Sequence, residues 1–107
     1  MPRRPSYELI YDPDVRRQLG RIERKHHPLI RRAIEEQLTH EPETETRDQK
    51  PLLRPSVLGP AWELRCGPQN RFRVFYRADR SHRHVYILAI GVKIRERLMI
   101  AGEEFEL

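Results

Sequence analysis

Residues 61–91, AWELRCGPQNRFRVFYRADRSHRHVYILAIG, decide the fold. Two alternating runs, about 61–66 and 71–78, flank a GPQN turn. A third, HVYILAIG at about 84–91, follows an RSHR turn. β-branched and aromatic runs punctuated by Gly, Pro, Asn and Ser read as hairpins. Consecutive hairpin strands pair with their neighbours, so the three predict an antiparallel meander. The third run is apolar at successive positions, which predicts a central strand covered on both faces.

The period of two sorts the side chains. Trp62, Leu64 and Cys66 share one face of the first strand, and Glu63 and Arg65 share the other. In the second strand Phe72, Val74 and Tyr76 share a face, opposed by Arg71, Arg73, Phe75 and Arg77. One face is therefore apolar, and the other carries guanidinium groups around an aromatic ring. Arginine takes phosphate and a ring stacks on a base, so this second face suits nucleic acid. A salt-bridge ladder would need acids, and Glu63 is the one acid among these positions.

The flanks complete the outline. SYELIY, roughly 6–11, reads as a strand, and Asp12-Pro13 gives a capping acid followed by proline at a first helical position. Val15, Leu19 and Ile22 recur at helical spacing, predicting a helix over 13–25 that HHP breaks. Pro28 opens a second helix whose stripe is Leu29, Ile30, Ala33, Ile34 and Leu38, ending near THEP. EPETETRDQKP reads as an exposed loop, LLRPSVLGP as a short strand or an ordered loop, and VKIRERLMIAGEEFEL as a short irregular or helical tail. The expectation is an α+β fold in which the N-terminal strand and an αα-hairpin pack on one face of a small, mainly antiparallel four-stranded sheet. The opposite face is left to be solvated or to bind.

A chain of 107 residues (1–107) makes a single domain, too short for a core plus a cofactor domain. The lone Cys66 excludes an internal disulfide and fits a reducing cytoplasm. By its place on the apolar face it is a packed thiol. MPRRPSYELIY has two arginines but no apolar run, so it reads as no secretory signal, and no stretch approaches a membrane span.

Charge is uneven. Residues 1–49 are neutral, residues 50–97 hold eleven Lys/Arg against three Asp/Glu, net +8, and residues 98–107 are net −3. A block that basic points to a polyanionic partner. Eighteen of the twenty-one basic residues are arginine, leaving Lys25, Lys50 and Lys93. The histidines, His26, His27, His40, His82 and His84, lack metal-ligand spacing and read as turn residues, so neither a metal nor a cofactor is expected.

The element order and the string WELR…RFRVFYR…VYILAIGVKIRER resemble the RelE/ParE superfamily of toxins from bacterial toxin–antitoxin pairs, over nearly the whole chain. The resemblance implies a RelE-like fold and a metal-independent endoribonuclease that cuts messenger RNA, commonly at the ribosome, and so inhibits translation. It also implies a cognate acidic antitoxin, bound in a toxin–antitoxin hetero-oligomer. The positions matching the family's basic residues are Lys50, Arg65, Arg73, Lys93, Arg95 and Arg97. The expected catalytic set is Arg65, Lys93, Arg73 and Lys50. The expected RNA-binding set is Arg54, Arg71, Phe75, Arg77, Arg95 and Arg97. Ribosome-dependent members carry a tyrosine shortly after the last match, where this chain has Leu98, Met99 and Ile100.

The chemistry can be argued separately. Attack by RNA's own 2′-hydroxyl needs alignment, removal of its proton, stabilisation of charge on phosphorus and protonation of the leaving oxygen. Guanidinium groups handle the charge, and because arginine keeps its proton the shuttle roles fall to Lys93, Lys50, a tyrosine or a histidine. Two other readings stay open: a ParE-like toxin that binds gyrase, and a catalytically degenerate RNA-binding module.

Overall fold

The computed structural model describes residues 6–54 and 56–106. The meander lies at its centre: β3 (Trp62–Cys66), β4 (Phe72–Asp79) and β5 (His84–Ile94). The first turn works because Gly67 sits at φ 81, and a Cβ there would lie 2.3 Å from the Phe72 ring. The second is tied by Asp79, whose Oδ1 accepts from the Ser81 N–H at 3.1 Å, the Ser81 hydroxyl at 2.8 Å and the His82 N–H at 3.2 Å. The Ser81 hydroxyl above all, then the His82 ring, whose Nδ1 lies 2.8 Å from Oδ2, and the His82 N–H hold the Asp79 carboxyl down at about 2.

The expected four strands are seven. β1 (Glu8–Tyr11) is parallel to the first half of β5, β2 (Gln49–Pro51) pairs with β3, and β6 (Arg97–Ile100) and β7 (Glu103–Glu104) extend the other end. β2 falls in the segment read as loop, and β6 and β7 in the tail read as irregular or helical. Each is four residues or fewer, too short to carry a periodic signal, and each forms because a longer strand offers its edge.

β5 organises the sheet. β4 covers one edge throughout, while the other is shared by β1, opposite residues 84–87, and β6, opposite residues 92–94. Between these lies a bulge at Leu88, where the register with β4 slips at Phe75/Tyr76. In the resulting gap the buried Gln18 accepts the Ile90 N–H through Oε1 at 2.8 Å. A helix side chain thus closes the backbone bonding that neither strand reaches.

The helix expected over 13–25 is α1 (Val15–Leu19), ending at Gly20, with a separate 3₁₀ turn at Arg24–His26. The His27 ring Nε2 lies 2.8 Å from both the Leu19 and Ile22 carbonyls and so carries the proton, satisfying the broken end. α2 (His27–Leu38) follows as expected. Val15, Ile22, Ile30, Ile34 and Leu38 pack on Leu64, Phe72, Val74, Tyr76, Ile87 and Ile90, the apolar face that alternation assigns. The Tyr76 hydroxyl donates to the Pro42 carbonyl at 2.6 Å, pinning the loop after α2; burial pushes it well above the usual phenol range.

The second face differs from expectation. Phe75, Ala89, Leu98 and Ile100 form a smaller core there, covered by Leu52, Leu58 and Phe105. Gly91 permits this: a Cβ would meet the Met99 carbonyl oxygen at 2.8 Å and Ile100 Cγ1 at 2.9 Å, so β6 curls over the sheet only where no side chain intervenes.

Candidate functional site

The register places Arg65 directly opposite Arg73, and Arg73 opposite Gly91; Lys50 lies opposite Glu63. Two guanidinium groups facing across a strand pair repel unless a counter-charge lies between them. Glu63 supplies it. Its Oε1 accepts from Arg65 Nε at 2.8 Å and Arg73 Nη1 at 3.2 Å, and the residue is 7% exposed. The single acid, judged too little for a ladder, therefore anchors both arginines, because one carboxylate accepts several donors.

The two arginines are not equivalent. Arg73 also donates through Nε to the Asn70 carbonyl at 2.9 Å and its side chain is 14% exposed, whereas that of Arg65 is 39% exposed. Arg73 is a fixed strut, and Arg65 keeps one edge of its fork free. Lys50, Arg54, Glu63 and Arg65 line one open depression of about 400 Å³, together with Glu45 and Leu52. Lys50 Nζ reaches Glu45 at 3.5 Å. Lys93 is two residues beyond Gly91 on β5. Two strand spacings and one two-residue step put its Cα about 12 Å from that of Arg65, within reach of two long side chains.

Other expected residues fall elsewhere. Phe75 is fully buried in the second core, so it cannot stack on a base. Arg71 precedes β4, where alternation does not govern its direction. It turns to the helix side, with Nη2 2.9 Å from His26 Nε2 and its guanidinium 5.1 Å from the centre of the Phe72 ring. Arg77 is exposed at the far end of the sheet, 4.8 Å over the Tyr86 ring. Arg95 and Arg97 are exposed at the β5–β6 turn, and Arg97 approaches Glu104 at 3.9 Å. The basic set divides into a cluster on the second face, a pair at the β5–β6 turn, Arg71 round the sheet's lower end and Arg77 alone at its far end.

Cys66 is buried, and that burial pushes its thiol up to about 11, so it stays protonated and inert. No three His, Cys, Asp or Glu side chains converge as metal ligands among the described residues. Nor is any described helix long and apolar enough to cross a membrane. The contact of His26 with Arg71 spans 45 positions and has no signal in the sequence.

No family model matches this chain, and no curated protein does. Among solved structures, it is similar to a chain of the toxin–antitoxin complex RelBE2 from Mycobacterium tuberculosis. The TM-score is 0.63 and the identity 26%, over 82% of this chain and 99% of that one.

Proposed function

We propose, from the premise that this chain is a RelE-like toxin of the RelE/ParE superfamily, that it is a metal-independent endoribonuclease acting on messenger RNA in the cytoplasm and inhibiting translation. The observation that carries the reading is the Arg65–Arg73 pair held on a buried Glu63, with Lys50 opposite that acid. A sheet that needed only solubility gains nothing from facing guanidinium groups. A site for a phosphodiester gains preorganised positive charge.

In this reading the 2′-oxygen of the substrate attacks the adjacent phosphorus and the bond to the 5′-oxygen breaks. The products are a 2′,3′-cyclic phosphate and a 5′-hydroxyl. Arg65, with its free edge, stabilises the charge on the phosphoryl oxygens. Arg73 orients Arg65 through Glu63. Lys93 assists proton transfer, and Lys50 and Arg54 hold the flanking backbone. Arg95 and Arg97 add a second contact with the strand. The partner that restrains the site is an acidic antitoxin, a reading supported by the neighbour's being a toxin–antitoxin complex.

The test is induction in cells, followed by mapping of messenger RNA ends. Arg65→Ala and Lys93→Ala should each lower cleavage on the order of a hundredfold and relieve growth arrest. Arg16→Ala, exposed on α1, should remain toxic. Cleavage by the purified protein should persist in EDTA. Gyrase-trapped DNA breaks in place of cut messenger RNA would overturn this reading in favour of the ParE-like one.

A further inference from the structure

A groove of about 490 Å³ runs along the helix side of the β5–β6 hairpin, with Arg21, Arg71 and His26 around it. Glu23 is the one acid in its lining, and its carboxylate is engaged by Lys25 at 3.4 Å. Two permanent cations, Arg21 and Arg71, thus share a concave site with little to neutralise them. Val92 and Met99 form a half-buried apolar shelf beside them, and Ile94 stands 55% exposed at the rim. The volume falls within the roughly 300–1,000 Å³ of small-ligand clefts.

Arg71 is held here at a cost. A guanidinium carries donors only, so in its 2.9 Å contact the His26 Nε2 must accept, which puts that ring's proton on Nδ1. Both groups pack on Phe72. Yet Arg71 Nε is buried without a hydrogen-bond partner, alone in this among the described residues' side-chain polar atoms. An orphaned buried donor costs stability, and such an exception calls for an explanation. A leucine or methionine would fill the space without that cost, but would bring no charge to the groove. The groove also continues the basic cluster, since Arg73 Nε binds the Asn70 carbonyl and the Lys93 N–H binds the Arg71 carbonyl.

We propose that this groove is a second phosphate subsite, in which Arg71, oriented by His26 and flanked by Arg21, takes the phosphodiester of a nucleotide neighbouring the one cut, with its base on the Val92–Met99 shelf. The proposal rests on the ribonuclease reading above and extends the RNA path around the lower end of the sheet.

The experiment is anisotropy titration of the full chain with a short fluorescein-labelled 2′-O-methyl oligoribonucleotide, which binds without being cut, across a salt series. Arg71→Ala should weaken binding about tenfold, and the slope of log affinity against log salt should become shallower by about 0.7, the share of one single-strand phosphate. Arg71→Lys should keep the slope and recover part of the affinity. Arg17→Ala, on the outer side of α1, should match the parent. If Arg71→Ala does not fold, Arg21→Gln carries the comparison, with about threefold weakening expected. Parent-like affinity and slope in both Arg71→Ala and Arg21→Gln would overturn the subsite while leaving the ribonuclease reading intact. No binding by the parent would remove that reading itself. Poly-glutamate that displaces the oligonucleotide and depends equally on Arg71 would overturn the proposal in favour of an acidic peptide.

Discussion

Glu63→Ala should be the most informative single change in this protein. The carboxylate is 7% exposed and holds two arginines of unequal burial. Its bond to Arg73, whose side chain is 14% exposed, is charge-assisted and largely shielded, worth about 1.5–3 kcal/mol. Its bond to Arg65, 39% exposed, is discounted for solvent to about 0.2–1 kcal/mol. Together these predict a loss of about 3 kcal/mol, in line with the roughly 3–5 kcal/mol for removing one partner of a buried pair. With a urea dependence of about 1.5 kcal/mol per molar, the unfolding midpoint should fall by about 2 M. A double-mutant cycle assigns the loss. In an Arg73→Ala background, Glu63→Ala should cost under about 1 kcal/mol, whereas in an Arg65→Ala background it should still cost about 2 kcal/mol or more. A total loss below about 1 kcal/mol, or a stronger coupling to Arg65 than to Arg73, would refute the picture of a buried acid anchoring one fixed and one free arginine.

Three further outcomes follow from the fold. Gln18→Leu should destabilise the protein by about 1–3 kcal/mol by orphaning the Ile90 N–H, and hydrogen exchange at Ile90 should accelerate more than at Val74. Tyr76→Phe strands the Pro42 carbonyl and should lower stability by about 1–2 kcal/mol in urea unfolding, leaving RNA cleavage near the parent rate. Asp79 should titrate near 2 when its carboxyl carbon is followed by NMR. Because its folded value lies below the ordinary 3.8, its stabilising effect is complete above that value and is lost as pH falls toward 2. An acid-unfolding curve for Asp79→Asn should therefore be flatter between those limits.

Much of the outline was legible in the amino-acid order, because it depends on local period. The strand alternation of Leu64, Val74 and Tyr76 marks the helix-facing side, the spacing of Ile30, Ile34 and Leu38 marks α2, and the GPQN and RSHR turns separate the strands. The same period puts Glu63, Arg65 and Arg73 on one face. What it leaves undetermined is what else touches that face. Phe75 reads as an open ring and is buried, since Leu98 and Ile100 arrive from a strand too short to announce itself, over a glycine that admits it. Arg71 reads as part of the arginine row and turns away, because it lies just outside the strand and meets His26 from 45 residues earlier. Glu63 reads as one acid too few, because a sequence counts charges, whereas the folded sheet decides how many donors converge on each. Period is a property of neighbours in the chain; coverage and convergence belong to contacts that exist only once distant segments have been brought together.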